Sequence, residues 1–390
     1  MAKRVGMEVS IAAAEAVKQA NVDVISAYPI TPQTHIVEHL SELVANGEMD
    51  AEFFCVESEH SALSVCVGAA ATGARAFTCT SSQGLALMSE ITYIASGLRL
   101  PMLMIISNRT ISAPLSIWND HSDTMSIRDC GWIQFFVENG QEVYDHVFVS
   151  YRLAEDRNVL FPVIINMDGF ILSHVIEPIQ LIEQEKIGQF LPPYQPLHSL
   201  HPDHPVTMGA FALPSIFAEA KKAQEEALRS SMPKVTETWK AFGELTGRYY
   251  HPIETYKTED ADTLLVTMGS FGETATVAVD KMREDGRSVG LVKIRLWRPF
   301  PFDDFKAATR RAKQLVVIDR ALSAGACGPV ASEVKAALYG SDPRPSVYDF
   351  VAGISGRDVT PSDFVKMVNK AEIEIEEGNR EGFEIYGVRE

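Results

Sequence analysis

The sequence predicts an α/β protein: a doubly wound parallel sheet followed by a second, smaller α/β domain. Three observations carry this. Short apolar runs alternate with amphipathic segments from the N-terminus to about residue 170. The runs are apolar throughout rather than at every second position, as parallel strands covered on both faces require. The alternation lapses between about 175 and 262 and resumes at Ala261. The expected organisation is therefore 1–175 for the core of the first domain, 176–260 for a Pro-rich connector with a helical extension, 261–369 for the second domain and 370–390 for an acidic tail.

In chain order, helix Val9–Gln19 leads to strand Val22–Ala27, and helix Thr34–Asn46 to strand Glu52–Val56. Helix Ser61–Thr72 precedes strand Ala76–Thr80, and helix Leu85–Leu98 precedes strand Met102–Ser107. A less regular stretch, Arg109–Trp132, is followed by strand Phe135–Glu138, helix Glu142–Asp156 and strand Leu160–Met167. The middle segment holds Pro192, Pro193, Pro196, Pro202 and Pro205, and then one long helix, Ser215–Thr246. The second domain reads as strands Thr263–Met268, Val289–Leu296, Gln314–Ile318 and Val347–Val351 with helices between them. The Glu-rich tail from about Lys370 is expected to be partly mobile.

Composition narrows the function classes. At 390 residues the chain suits two or three domains, at about 100–200 residues each. A net charge of −17 argues against non-specific binding to nucleic acid or acidic membranes. No apolar run reaches the roughly 18 residues that span a bilayer. The N-terminus is basic and then apolar, like a secretory signal, but Glu8 and Glu15 interrupt it at helical spacing. It reads as a first helix, and the protein as cytoplasmic. The five cysteines, Cys55, Cys66, Cys79, Cys130 and Cys327, form no CxxC pair and read as reduced, mostly buried thiols. His198, His201, Asp203 and His204 cluster without a recognised ligand spacing, so no metal site is expected on this chain.

Four strand-to-helix junctions carry candidate chemistry. At Tyr28–Thr34, YPITPQT, Thr31 reads as an N-cap and Pro32 as the first helical residue. That corner presents a hydroxyl and free N–H groups at the carboxyl edge of a sheet, where open α/β sheets bind ligands. At Val56–Ala62, VESEHSA, Glu57 and Glu59 can simply complement the positive end of the next helix. A glutamate there can also be catalytic: in thiamin diphosphate enzymes a carboxylate bonds the aminopyrimidine nitrogen and favours the tautomer that strips the C2 proton. At Arg75–Leu85, Ser82 and Gly84 form a tight turn able to approach a phosphate or an aromatic ring. At Ser107–Arg109, an arginine ending a buried strand needs a partner. A substrate carboxylate is one and an internal acid another, with Asp120, Asp123 and Asp129 near in sequence. No GxGxxG or GxxxxGK occurs, which argues against nicotinamide and nucleotide-hydrolase chemistry.

Together YPITPQT, VESEHSA, GARAFTCTSSQGL (Gly73–Leu85) and NR (Asn108–Arg109) resemble the alpha subunit of 2-oxoacid:ferredoxin oxidoreductases, the pyruvate:ferredoxin oxidoreductase or pyruvate synthase family. RDCGWIQ (Arg128–Gln134), AEDRNVLFPVIINMDGF (Ala154–Phe170), VGLVKIRLWRPFP (Val289–Pro301) and GISGRDVT (Gly353–Thr360) extend the resemblance to about residue 365.

The resemblance implies a pyrimidine-binding-like first domain and a second domain like the C-terminal domain of transketolase. The implied reaction converts a 2-oxoacid, coenzyme A and oxidised ferredoxin to acyl-CoA, carbon dioxide and reduced ferredoxin. Pyruvate is the default substrate, with phenylglyoxylate or another 2-oxoacid as alternatives. Glu59 would activate the aminopyrimidine, with Glu57 as its fallback. Thr31 would lie against substrate and cofactor beside Pro32, Ser82 and Gly84, and Arg109 would bind the substrate carboxylate. The chain has no GDG motif for magnesium and diphosphate and no cysteine cluster. Thiamin diphosphate would therefore be shared with a beta subunit, Mg2+ and [4Fe-4S] clusters would lie on partner subunits of beta and delta type, and a gamma subunit would complete the complex. Two rivals stand beside this reading: a self-sufficient thiamin-dependent transferase or decarboxylase, and a non-catalytic scaffold subunit of such a complex.

Overall fold

The computed structural model describes residues 4–389. The chain opens with β1 (Arg4–Glu8) and α1 (Val9–Gln19). It then alternates through β2 (Val24–Ala27), α2 (Thr34–Ala45), β3 (Glu52–Cys55), α3 (Glu59–Thr72), β4 (Ala76–Thr80), α4 (Ser82–Gly97) and β5 (Leu103–Asn108). The short α5 (Ser122–Ser126) precedes β6 (Ile133–Phe136), α6 (Gly140–Ala154) and β7 (Val163–Asp168). The middle segment holds β8 (Ile176–Gln180), α7 (Gln184–Phe190), α8 (Pro214–Arg229) and α9 (Met232–Thr246). Next come β9 (Ile253–Tyr256), β10 (Thr263–Met268), α10 (Phe271–Glu284), β11 (Val289–Ile294), β12 (Leu296–Arg298) and α11 (Phe302–Thr309). The chain ends with β13 (Gln314–Asp319), α12 (Pro329–Leu338), β14 (Ser346–Val351), α13 (Pro361–Glu376) and β15 (Phe383–Ile385).

The first sheet has the order β12-β6-β7-β5-β4-β2-β3 and is parallel except at β12. Because strand side chains alternate between faces, one apolar run feeds two cores. Leu103 and Ile105 pack with α1, α2 and α6, while Met104 and Ile106 pack with α3 and α4. The second sheet has the order β15-β14-β13-β10-β11-β9, with only β9 antiparallel. Leu264 and Val266 face α11 and α12, and Leu265 faces α10 and α13.

The two sheets are tied together by charge and by backbone. Arg320 Nη1 reaches Asp168 Oδ2 at 2.6 Å, with His121 Nε2 on the other carboxylate oxygen at 2.7 Å. Burial opposes a charge on Asp168, but Arg320 and His121 outweigh it and hold the carboxyl well below its usual range. Arg295 pairs with Glu142 at 2.7 Å and Glu254 at 2.6 Å, and Lys293 with Glu138 at 2.8 Å. Burial, with the charge of Glu142 adding to it, pushes Glu138 up to about 7. β12 lies within the stretch expected to form the second domain, yet pairs antiparallel with β6 as an edge strand of the first sheet.

Four expectations are corrected. The N-terminal residues do not open on a helix: β1 pairs antiparallel with β8, with Val5 and Met7 half-buried and Arg4 and Gly6 exposed. Residues 1–3 of that segment lie outside the described residues. The long helix over 215–246 is two helices, because Pro233 has no N–H to continue α8 and instead starts α9 within its first turn. The tail, expected to be partly mobile, carries regular structure: β15 pairs with β14, and the Tyr386 hydroxyl donates to Asp363 at 3.0 Å. The open edge of β14 supplies backbone partners that an acidic composition does not reveal. The fourth concerns Thr31 and Pro32 and is taken up with the site.

Candidate active site

β2 has β3 on one side and β4 on the other, so the winding of the first sheet reverses between β2 and β4. Such a reversal opens a crevice at the carboxyl ends of the strands. The segments that leave those ends carry Thr31, Pro32, Glu57, Glu59, Ser82, Gly84 and Arg109.

After β3, Ser58 caps α3 by accepting the Ser61 N–H at 3.2 Å. The chain then turns two glutamates apart. Glu57 is exposed, takes the Ser61 hydroxyl, and that bond holds its carboxyl below the ordinary range. Glu59 is 7% exposed and heads the helix without sharing in the bonds among Glu57, Ser58 and Ser61. Its neighbour is Gly84, on the turn after β4. A Cβ there would stand 2.7 Å from Glu59 Oε1 and 2.5 Å from Thr80 Oγ1. Glycine thus lets the Glu59 carboxylate and the Thr80 hydroxyl pack directly onto the start of α4. The hydroxyls of Thr80 and Ser81 in the same turn are buried without a hydrogen-bond partner. A buried carboxylate beside orphan hydroxyls suits a ring that carries both donors and acceptors, such as an aminopyrimidine. Ser82 follows with φ +49, and its hydroxyl donates to the Thr110 carbonyl at 2.5 Å.

Arg109, directly after β5, is 7% exposed. Its Nε donates to the Ser116 carbonyl at 2.9 Å and its Nη1 to the Thr31 carbonyl at 3.0 Å. Among the described residues no carboxylate lies within 4.0 Å of this guanidinium, so the internal-acid alternative fails. Asp129 pairs with Arg298 at 3.5 Å, and Asp120 accepts from Ser122 at 2.9 Å. Asp123 reaches only the backbone of Arg109. Burial lowers the pKa of Arg109, with Asp123 opposing. A nearly buried cation satisfied by two carbonyls retains donors and an uncompensated charge, which is what an anion requires.

Arg109 also brings Thr31 into the cluster, although not as a helix cap. Residues 31–33 form a turn closed by Gln33 N–H to the Ile30 carbonyl at 3.0 Å, the Thr31–Pro32 peptide is cis, and α2 begins only at Thr34. That extra turn takes Thr31 out of the capping position and leaves it exposed at the crevice, while Pro32 is buried against Gly169 at the end of β7.

The residue whose role sequence reasoning missed is Asp123. It is fully buried and accepts four bonds: Ser82 N–H at 3.0 Å, Arg109 N–H at 3.0 Å, Asn108 Nδ2 at 2.9 Å and Thr124 N–H at 2.8 Å. One carboxylate therefore ties the Ser82 turn to the Arg109 junction. Burial pushes its pKa up to about 6 against the pull of those bonds. Asn108 extends the network to Thr124 and Asn166. The signal was present, since Asp123 was a nearby acid, but its partners are backbone groups that no side-chain motif reports.

Among the described residues no group of three or more His, Cys, Asp or Glu could hold a metal, and no helix is long and apolar enough to cross a membrane. All five thiols are free; Cys66, Cys79 and Cys130 are buried, and burial raises the pKa of each.

Comparison with known proteins gives the following. The family described as pyruvate flavodoxin/ferredoxin oxidoreductase, thiamine diphosphate-binding, matches residues 15–240, and the pyruvate:ferredoxin oxidoreductase core domain II matches 261–364. The chain is 46% identical over 376 residues to pyruvate synthase subunit PorA of Pyrococcus furiosus, covering 96% of this chain and 95% of the relative. It is 46% identical over 361 residues to the PorA of Methanothermobacter thermautotrophicus, covering 93% of each. It is 43% identical over 369 residues to ketoisovalerate oxidoreductase subunit VorA of Pyrococcus horikoshii, covering 94% of this chain and 93% of the relative. Among solved structures, 2-oxoglutarate:ferredoxin oxidoreductase from Magnetococcus marinus, with 2-oxoglutarate, coenzyme A and succinyl-CoA bound, superposes with a TM-score of 0.74 at 20% identity. That match covers 94% of this chain and 65% of that one.

Proposed function

The chain belongs to the pyruvate:ferredoxin oxidoreductase family, and from that premise we propose that it is the alpha-type subunit of a multi-subunit enzyme that oxidatively decarboxylates a 2-oxoacid, pyruvate first, to its acyl-CoA. Thiamin diphosphate, when bound, supplies the nucleophilic carbon and the electron sink for losing carbon dioxide. This chain's residues supply the rest of one half-site. Glu59 would hold a proton against the ring nitrogen of the aminopyrimidine. Ser82 and Gly84 would bring the backbone after β4 close to the cofactor, Thr31 and Pro32 would lie against substrate and cofactor, and Arg109 would receive the substrate carboxylate and fix the angle of the 2-oxo group.

The observation that carries this reading is the state of Arg109: a buried guanidinium bonded to two carbonyls with no carboxylate beside it, at the same sheet edge as Glu59. Acid residues for magnesium and thiolates for iron–sulfur clusters are not grouped among the described residues, and the reading places both on partner chains of beta and delta type, with a gamma-type chain and ferredoxin as the remaining partners. Exposed Phe54, Leu87, Leu115 and Trp118 on the segments around the crevice give such a partner apolar surface to cover. The complex would work in the cytoplasm, where free thiols stay reduced.

The test is anaerobic purification of the chain with whatever accompanies it. The pool is then assayed for CoA-dependent viologen reduction with pyruvate, 2-oxoisovalerate, 2-oxoglutarate and phenylglyoxylate. Iron-bearing partners and turnover of pyruvate are expected. Preference for 2-oxoisovalerate would instead align the chain with its 43%-identical relative. A lone chain without iron or activity would leave only the scaffold.

A further inference from the structure

The motif GISGRDVT (Gly353–Thr360) belongs to the second domain and takes no part in the half-site just described. Its first residues nevertheless grip the segment that carries the substrate-facing arginine. Residues 111–118 leave Arg109 as an irregular loop with little core of its own: Leu115 is 77% exposed, and Ile117 and Trp118 are also exposed. Polar contacts from the second domain hold it. The Ser355 hydroxyl donates to the Ser116 hydroxyl at 2.5 Å, and the Ser355 N–H donates to Asp120 Oδ2 at 3.2 Å. The Gly356 N–H donates to the Asn119 carbonyl at 2.6 Å. Ser116 is the residue whose carbonyl takes Arg109 Nε at 2.9 Å, and its hydroxyl also accepts the Trp118 N–H at 3.3 Å.

The backbone of the grip is unusual. Gly353, Ser355 and Gly356 have φ of +71, +53 and +71. Left-handed backbone at a non-glycine residue is uncommon. Here it turns successive N–H groups of the second domain toward Asp120 and Asn119. A Cβ on Gly356 would meet Trp118 Cβ at 2.8 Å, so the turn and the loop fit closely.

We propose that the Gly353–Gly356 turn of the second domain is a positioning clasp for Arg109, acting through Ser116, so that the second domain sets how well the enzyme binds the 2-oxoacid carboxylate. This rests on the reading of Arg109 as the carboxylate-binding residue. A turn that served only to join the domains would influence assembly and stability but not the affinity for one substrate.

The experiment compares Ser355→Ala, Ser116→Ala and the double variant with wild type in the assembled complex, measuring KM for the 2-oxoacid, KM for coenzyme A and kcat. Each single variant is expected to raise KM for the 2-oxoacid about fivefold, the effect of one lost neutral hydrogen bond. Neither should alter KM for coenzyme A, and the double variant should be no worse than the weaker-binding single, because each single already lacks the Ser355–Ser116 bond. Should Ser355→Ala fail to assemble, Gly356→Ala, whose Cβ pushes on Trp118, carries the same expectation. Arg109→Lys is measured alongside. If it leaves KM for the 2-oxoacid unchanged, the carboxylate reading itself falls. If it raises that KM while Ser355→Ala and Gly356→Ala lower only the Tm or the yield of complex, the clasp alone is overturned.

Discussion

Glu57 and Glu59 stand two residues apart at one helix start and occupy opposite environments: Glu57 in solvent on the Ser61 hydroxyl, Glu59 buried and packed on Gly84. Two carboxylates that the sequence offers as equals are separated by the single turn that Ser58 caps. The proposed proton-holding role falls on the buried one, Glu59. Glu59→Gln should lower kcat by about 10²–10⁴-fold with little change in KM, the range expected for losing a general acid–base. Glu57→Gln should leave turnover within about twofold. Steady-state viologen reduction by the assembled complex decides it, and equal losses in both variants would remove the distinction.

Arg109→Ala should reduce kcat/KM for the 2-oxoacid by a factor of about 30 to 800, equivalent to roughly 2–4 kcal/mol of a bidentate charged contact. Coenzyme A should be unaffected. A parallel rise in both KM values would indicate a disordered loop rather than a lost contact.

Asp123→Asn places an amide N–H₂ among four donors, so at least one of the bonds to Ser82, Arg109, Asn108 and Thr124 must break. The variant should raise KM for the 2-oxoacid by about tenfold, the cost of leaving buried donors unpaired. In the wild type the same network loosens when Asp123 takes up a proton, so KM should climb as pH falls through about 6, and the variant should lack that dependence. A wild-type KM that stays flat from pH 7.5 to 5.5 would refute this.

Glu138 gives a stability prediction of known sign. Its carboxyl is pushed up to about 7 by burial and by Glu142, so between the ordinary value of 4.5 and 7 the folded protein holds a proton that the unfolded chain has released. Its contribution to stability is present below that window and is lost as pH rises through it. Glu138→Gln cannot titrate. Its Tm relative to wild type should therefore increase between pH 5 and pH 8, by the equivalent of roughly 2 kcal/mol. An unchanged difference at the two pH values would show that the Lys293 pair keeps Glu138 charged throughout.

Much of this fold is written locally. The runs that become β2, β4, β5, β7, β10 and β13 are apolar because both faces are covered, and the residues that leave their carboxyl ends could be named before their neighbours were known. What stayed hidden depends on partners far away in the chain. Asp123 looks like any loop acid until Ser82, 41 residues earlier, brings its N–H to it. Thr31 and Pro32 carry the signature of a helix start, but the Gln33–Ile30 turn intervenes and delays the helix to Thr34. Pro233 was legible as a break, and the helix-forming residues on either side of it masked the signal. β12 is three residues long, too short for any periodicity, and its partner strand lies some 160 residues upstream.

That last strand bears on how the protein is made. The first sheet is not finished when the first 260 residues have been synthesised, because its final edge is supplied by Leu296–Arg298. Until residue 298 has left the ribosome, β6 has one row of backbone groups bare, and Glu142 lacks Arg295. The nascent first two-thirds thus keeps an unpaired strand edge until the second domain is made. A chain severed near residue 260 should aggregate or bind chaperones, whereas supplying residues 261–389 in trans should rescue it by donating the missing strand.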